Sequence, residues 1–198
     1  IPSCLFLPFL LDFKNIILKT IEGMPKTEKR EKTILSEKQV NDLLFYLSET
    51  INDQQLSCWF ALAISSGARF AEILRFSTDI IDENNIVFDG LFLETTKTIK
   101  TKGRTKEGKN QKKYIIKDLF IPYYKKWLIE REKIMITNNK NHNFIFIKTN
   151  GDPAEEGTVR SWLPKIEKFL GVYYYPHCNR HYFVTYLSRA GLSAELIT

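Results

Sequence analysis

The stretch between Asp53 and Gly67 constrains this chain most, because it is apolar nearly all round at helical spacing: Leu56, Cys58, Trp59, Phe60, Ala61, Leu62, Ala63 and Ile64 leave no polar face. A helix on the surface of a domain hides one stripe, whereas one that is apolar on every side has to be covered on every side. The spacing therefore predicts a central helix over about Asp53–Ser65, with other elements wrapped around it. Upstream, Ser36 and Gln39 have the spacing of a capping box, followed by Val40, Leu43, Leu44 and Leu47 at helical intervals. Downstream, Gly67 breaks the apolar helix and Arg69 opens the next. Short β-rich stretches at Ile86–Phe88, Leu91–Thr96 and Tyr114–Ile116 predict a small antiparallel sheet with an extended hairpin. Helices are expected near 118–134 and 156–170, with a brief strand at Phe144–Ile147 and an Asn150-Gly151 turn between them. The fold class is α+β, mainly α: a helical bundle carrying a small three-stranded antiparallel sheet. With 198 residues, 43% hydrophobic, there is enough chain for one good core.

The chemistry is concentrated in two segments. Pro176 to Gly191 reads as a helix in which Tyr182, Phe183, Tyr186, Leu187 and Ala190 recur as an apolar face, with Pro176 suited to the first helical position. His177 and Arg180, three residues apart, project from one side of it. An imidazole beside a guanidinium is a donor pair suited to phosphate. The second segment is Gly67-Ala68-Arg69-Phe70-Ala71-Glu72-Ile73, where Arg69 stands at a helix start whose amides favour an anion. Two arginines can each present a planar fork to phosphate oxygens, and charge spread over a pentacoordinate phosphorus is what such forks stabilise. Together they point to phosphoryl transfer.

These residues resemble the catalytic domain of the tyrosine recombinases, the phage integrase and Xer-like enzymes. Gly67, Arg69, Glu72 and Ile73 match the first arginine box, Gly-x-Arg-x-x-Glu-Leu. His177, Arg180, His181, Phe183, Thr185 and Leu187 match the second, His-x-x-Arg-His-x-Phe-x-Thr-x-Leu, and the agreement runs on to Gly191. One box alone is a weak signal; both in this order, roughly 110 residues apart, are specific. The resemblance implies the tyrosine-recombinase catalytic fold and double-stranded DNA as partner, with a homotetramer on DNA in the full-length protein and no metal or nucleotide cofactor. It also implies that residues 1–24 are the tail of a preceding core-binding domain, 25–35 a linker, and 36–198 the catalytic domain. The family's nucleophile is a tyrosine that forms a 3′-phosphotyrosyl link. The pattern places it about 14 residues past Thr198, after a Leu-Gly-His turn; the 198 residues are accordingly expected to bind DNA without cleaving it. Tyr173, Tyr174, Tyr175, Tyr182 and Tyr186 read as packing residues rather than substitutes.

From Lys97 to Lys117 nine lysines and arginines face a single acid, Glu107, a run suited to neutralising a DNA backbone with little sequence information. The family carries a catalytic lysine in this hairpin, acting as general acid toward the leaving 5′ oxygen. Three registers remain open: the outgoing strand points to Lys97, the returning strand to Lys109, and the turn Thr101–Glu107 favours Lys102, which is the preferred assignment.

Other classes fit less well. The formal charge of +6 agrees with a polyanionic partner. Cys4, Cys58 and Cys178 lack a disulfide framework, so a reduced, cytoplasmic protein is expected. Asp12, Lys14 and Asn15 interrupt the apolar N-terminal run, which reads as neither a signal peptide nor a membrane span. A zinc hydrolase would use His177 and His181 at i and i+4, but it needs a glutamate directly after the first histidine, where Cys178 stands. A non-catalytic DNA-binding remnant should have lost one of the arginines or the histidine, and all three are present. A type IB topoisomerase shares a similar constellation, but the second box is in the integrase register.

Overall fold

The computed structural model describes residues 33–81, 87–91 and 110–193, all within the second of the two units into which the chain divides, Thr33–Thr198. The first helix, α1, spans Glu37–Phe45 and starts as its sequence dictates. Ser36 Oγ accepts from the Gln39 amide at 3.2 Å, and Gln39 Oε1 accepts from the Ser36 amide at 2.9 Å. Its apolar stripe buries Val40, Leu43 and Leu44, each worth about 1.5–3 kcal/mol relative to exposure. The chain then widens into a π-helical turn, Tyr46–Thr50, which keeps Leu47 and Ser48 inside.

Helix α2, Gln54–Ser66, is the expected central element. Asp53 caps it, its carboxylate accepting from the Leu56 amide at 3.0 Å, and nearly every residue along it is buried. Its interior hydroxyls are satisfied locally: Ser57 donates to the Gln54 carbonyl and Ser66 to that of Leu62. Gly67 ends it in the left-handed region at φ 58°. One turn of helix, α3, comes next at Phe70–Ile73, and then a 3-10 turn at Thr78–Ile80.

Strands β1, Val87–Leu91, and β2, Asn110–Tyr114, pair antiparallel with Val87 opposite Tyr114 and Leu91 opposite Asn110. Two strands, not three, make up the sheet among the described residues. Apart from Leu91, the expected Leu91–Thr96 strand lies outside them. The strand expected at Tyr114–Ile116 instead ends at Tyr114, because the Ile116 amide leaves the sheet to donate to the Ser65 carbonyl at 3.0 Å. That bond ties the start of α4, Lys117–Thr137, to the end of α2.

Helix α4 packs along α2 and organises the 142–147 segment. Trp127 Nε1 donates to the Ile145 carbonyl at 2.8 Å, and Arg131 donates to the carbonyls of Phe144 and His142 at 2.8 and 2.6 Å. With those carbonyls engaged by side chains, the expected Phe144–Ile147 strand reduces to two isolated bridges, Ser77 with Phe144 and Ile147 with Pro153. The helix expected over 156–170 is two helices, α5 at Glu156–Arg160 and α6 at Leu163–Leu170. Pro164 has no amide to continue the first and suits the start of the second. Helix α7, His177–Arg189, packs on α2 and buries Cys178, Asn179, Tyr182 and Phe183. Pro176 flanks it rather than taking its first position. Beyond Phe183 the expected apolar face opens: Tyr186 and Ala190 are exposed and Leu187 is half-buried.

Candidate active site

The two boxes meet where α2 ends. Gly67 reverses the chain there, and its carbonyl, at the cap just past α2, accepts from Arg180 Nη1 at 3.1 Å across 113 residues of sequence. A guanidinium at a helix C-terminus satisfies an orphan carbonyl and complements the negative end of the macrodipole. The close approach depends on the glycine. A Cβ on Gly67 would stand 2.4 Å from Phe183 Cδ1, one turn further along the same helix as Arg180.

Arg69 sits two residues past Gly67, as the N-cap of α3. Glu72 Oε2 accepts from the Arg69 amide at 2.7 Å, and Glu72 Oε1 accepts from Arg69 Nη1 at 3.0 Å. The Glu72 side chain is 8% exposed and that of Arg69 47%. The carboxylate therefore works from inside the domain to hold an arginine whose other side faces solvent. The buried carboxylate fixes the direction of the guanidinium it holds. Of the helix-start amides expected to favour an anion, that of Arg69 is engaged by Glu72, and α3 is a single turn. Arg160 lies beside it, its Cζ 5.3 Å from the centre of the Phe70 ring.

His177, exposed on the first turn of α7, shares its face with Arg180. Its ring meets that of His181 edge to face, centroids 4.7 Å apart at 87°. Arg69, His177 and Arg180 are thus borne by adjoining segments, whereas Lys102 and the alternatives Lys97 and Lys109 lie outside the described residues. Among the described residues no three His, Cys, Asp or Glu side chains converge on a point where a metal ion could bind. Burial pushes the Cys178 thiol pKa up, which disfavours a thiolate beside His177.

Of the nearby tyrosines, Tyr174 and Tyr182 are buried, whereas Tyr173 and Tyr186 are exposed. Burial pushes the Tyr182 phenol up to about 12 and the Tyr174 phenol further still. Tyr174 also donates to Asn179 Oδ1 at 2.9 Å in the core beneath the site. The sequence motifs do not single out Asn179. Its signal is its place at the head of the buried stripe 179, 182, 183, where a polar side chain is out of keeping.

A cavity of about 350 Å³ lined by residues including Asn52, Trp127, Glu130 and Thr149 lies toward the opposite end of α2 and contains none of these groups. The fold and this corner define the class, a catalytic domain of the tyrosine recombinase kind. The chain belongs to the Phage integrase family, whose model matches residues 33–198. No curated protein sequence matches it. Among solved structures, XerA recombinase is similar with a TM-score of 0.66 at 17% identity, covering 86% of this chain and 56% of that one. The Tn1549 transposon integrase in complex with circular intermediate DNA has a TM-score of 0.61 at 16% identity, covering 93% and 65%. The XerH site-specific recombinase bound to its difH substrate has 0.58 at 18%, covering 87% and 47%. The chain therefore spans about half to two-thirds of the length of these relatives. No described helix is long and apolar enough to cross a membrane.

Proposed function

We propose that the domain serves a site-specific DNA recombinase of integrase type, in which Arg69 and Arg180 clamp one scissile phosphate of duplex DNA. The observation that carries this reading is the Arg180–Gly67 hydrogen bond, which brings a residue of the second box to the backbone of the first. In the proposed reaction a tyrosine oxygen attacks phosphorus, forming the O–P bond as the bond to the 5′ oxygen breaks. The tyrosine's proton passes to His177, and the leaving oxygen takes a proton from a hairpin lysine, for which Lys102 is proposed. The two guanidiniums balance the charge that grows on the non-bridging oxygens. Religation is the same sequence in reverse with a new 5′ hydroxyl. The nucleophile is proposed to be a tyrosine at the offset from the second box that the family pattern gives it, rather than one of the described tyrosines. Assembly as a homotetramer on DNA and a cytoplasmic location belong to the same proposal, as does the reading of residues 1–24 as the tail of a preceding core-binding domain.

The test is duplex DNA binding by fluorescence anisotropy across a salt series, with wild type, Arg69→Ala and Arg180→Ala. Each substitution should weaken binding on every sequence and lower the salt slope by about 1. In the full gene product each should also slow covalent adduct formation by several orders of magnitude, since each arginine is asked for roughly 3 to 5 kcal/mol of transition-state stabilisation. Undiminished adduct formation by Arg180→Ala would remove the clamp.

A further inference from the structure

The first turn of α7 is held by a polar contact beneath the site. Tyr174 precedes the helix and is 3% exposed, and Asn179, on its first turn, is 1% exposed. The Tyr174 hydroxyl donates to Asn179 Oδ1 at 2.9 Å, and the Tyr174 ring packs on Phe60 in the middle of α2, centroids 6.4 Å apart. Burial disfavours the phenolate, so Tyr174 remains a donor through the neutral range. The turn is tightly wound: the Cys178 amide donates to the Tyr175 carbonyl at 2.9 Å and the Asn179 amide to the Pro176 carbonyl at 3.3 Å.

The contact is an odd choice for stability. Asn179 Nδ2 is buried with no partner among the described residues, an unfavourable state that a leucine at the same place would avoid. What a hydrogen bond supplies and apolar packing does not is direction. His177 and Arg180 flank the pair on the same turn. The side-chain shell of a helix lies roughly 5–6 Å from its axis, so a rotation of about 10° carries a group there through roughly 1 Å, enough to matter for catalysis. We infer that Tyr174 and Asn179 form a buried positioning pair that fixes the rotation of α7 and so aims Arg180 and His177 at the Gly67–Arg69 corner. The inference rests on the clamp reading only for what the aimed groups do.

The test uses Tyr174→Phe, Asn179→Leu and the double variant. Urea unfolding gives stability, and the arginine Nε–Hε resonances in ¹⁵N NMR, with Arg180 assigned through Arg180→Lys, give side-chain order without ligand. A titration with inorganic phosphate then gives the half-saturation at Arg180. Asn179→Leu should be at least as stable as wild type yet lose order at Arg180, with half-saturation raised about fivefold. The double variant should be no worse than either single one, as expected of a coupled pair. Unchanged Arg180 order in the folded Asn179→Leu protein would overturn the pair, as would losses that add in the double variant. Phosphate that perturbs neither Arg69 nor Arg180 in wild type would count against the clamp instead, while Arg180 order without ligand would still decide the pair.

Discussion

Gly67 is where backbone, packing and chemistry coincide. Its φ of 58° is one that side-chain-bearing residues adopt with strain, its missing Cβ admits Phe183, and its carbonyl receives Arg180. Gly67→Ala should therefore destabilise the domain by about 2–4 kcal/mol, combining left-handed strain with overpacking. Denaturant unfolding measures the loss, and one below 1 kcal/mol would mean that Phe183 yields freely. At this scale the sequence is informative, because the residues of the two boxes carry spacing and chemistry in their names. Asn179 and Tyr174 are not legible in the same way: a buried polar pair has no period, and only the fold shows that the two side chains meet.

Among the elements, legibility tracks how local the cause is. The capping box of α1 and the glycine stop of α2 are set by neighbours within a few residues, and both stand where the sequence puts them. The 142–147 segment has β-like residues but no strand, because side chains of α4 take its carbonyls, and that competition comes from residues 11 to 18 positions away. The π turn at Tyr46–Thr50 likewise continues a helical pattern that gives no sign of widening. Arg131 is the key to this region; burial pulls its pKa down from the usual guanidinium value, and two backbone carbonyls compensate. Arg131→Leu should cost about 3 kcal/mol by leaving both carbonyls unsatisfied. Equilibrium urea unfolding checks this; a neutral result would mean that the 142–147 segment holds itself.

For the whole molecule, charge and covering explain the architecture. An all-round apolar helix forces α1, α4 and α7 onto its sides, and the two ends of α2 are left to different tasks. The N-terminal end joins Asp53 to Lys165 at 2.8 Å and borders the polar cavity; the C-terminal end gathers Arg69, Arg180 and His177. Helix order and the central place of α2 are readable from hydrophobic periodicity. The sheet is less so, since strand ends depend on where amides such as that of Ile116 find partners elsewhere. The net charge of +6 owes much to the lysine-rich segment 97–117.

The most direct measurement of the central claim is a crystal of the protein soaked in tungstate, a tetrahedral oxyanion that anomalous scattering locates without ambiguity. A phosphate clamp predicts one tungstate bridging the guanidiniums of Arg69 and Arg180 beside His177, lost in Arg180→Ala. Tungstate bound elsewhere, with that corner empty at saturating concentration, would contradict it.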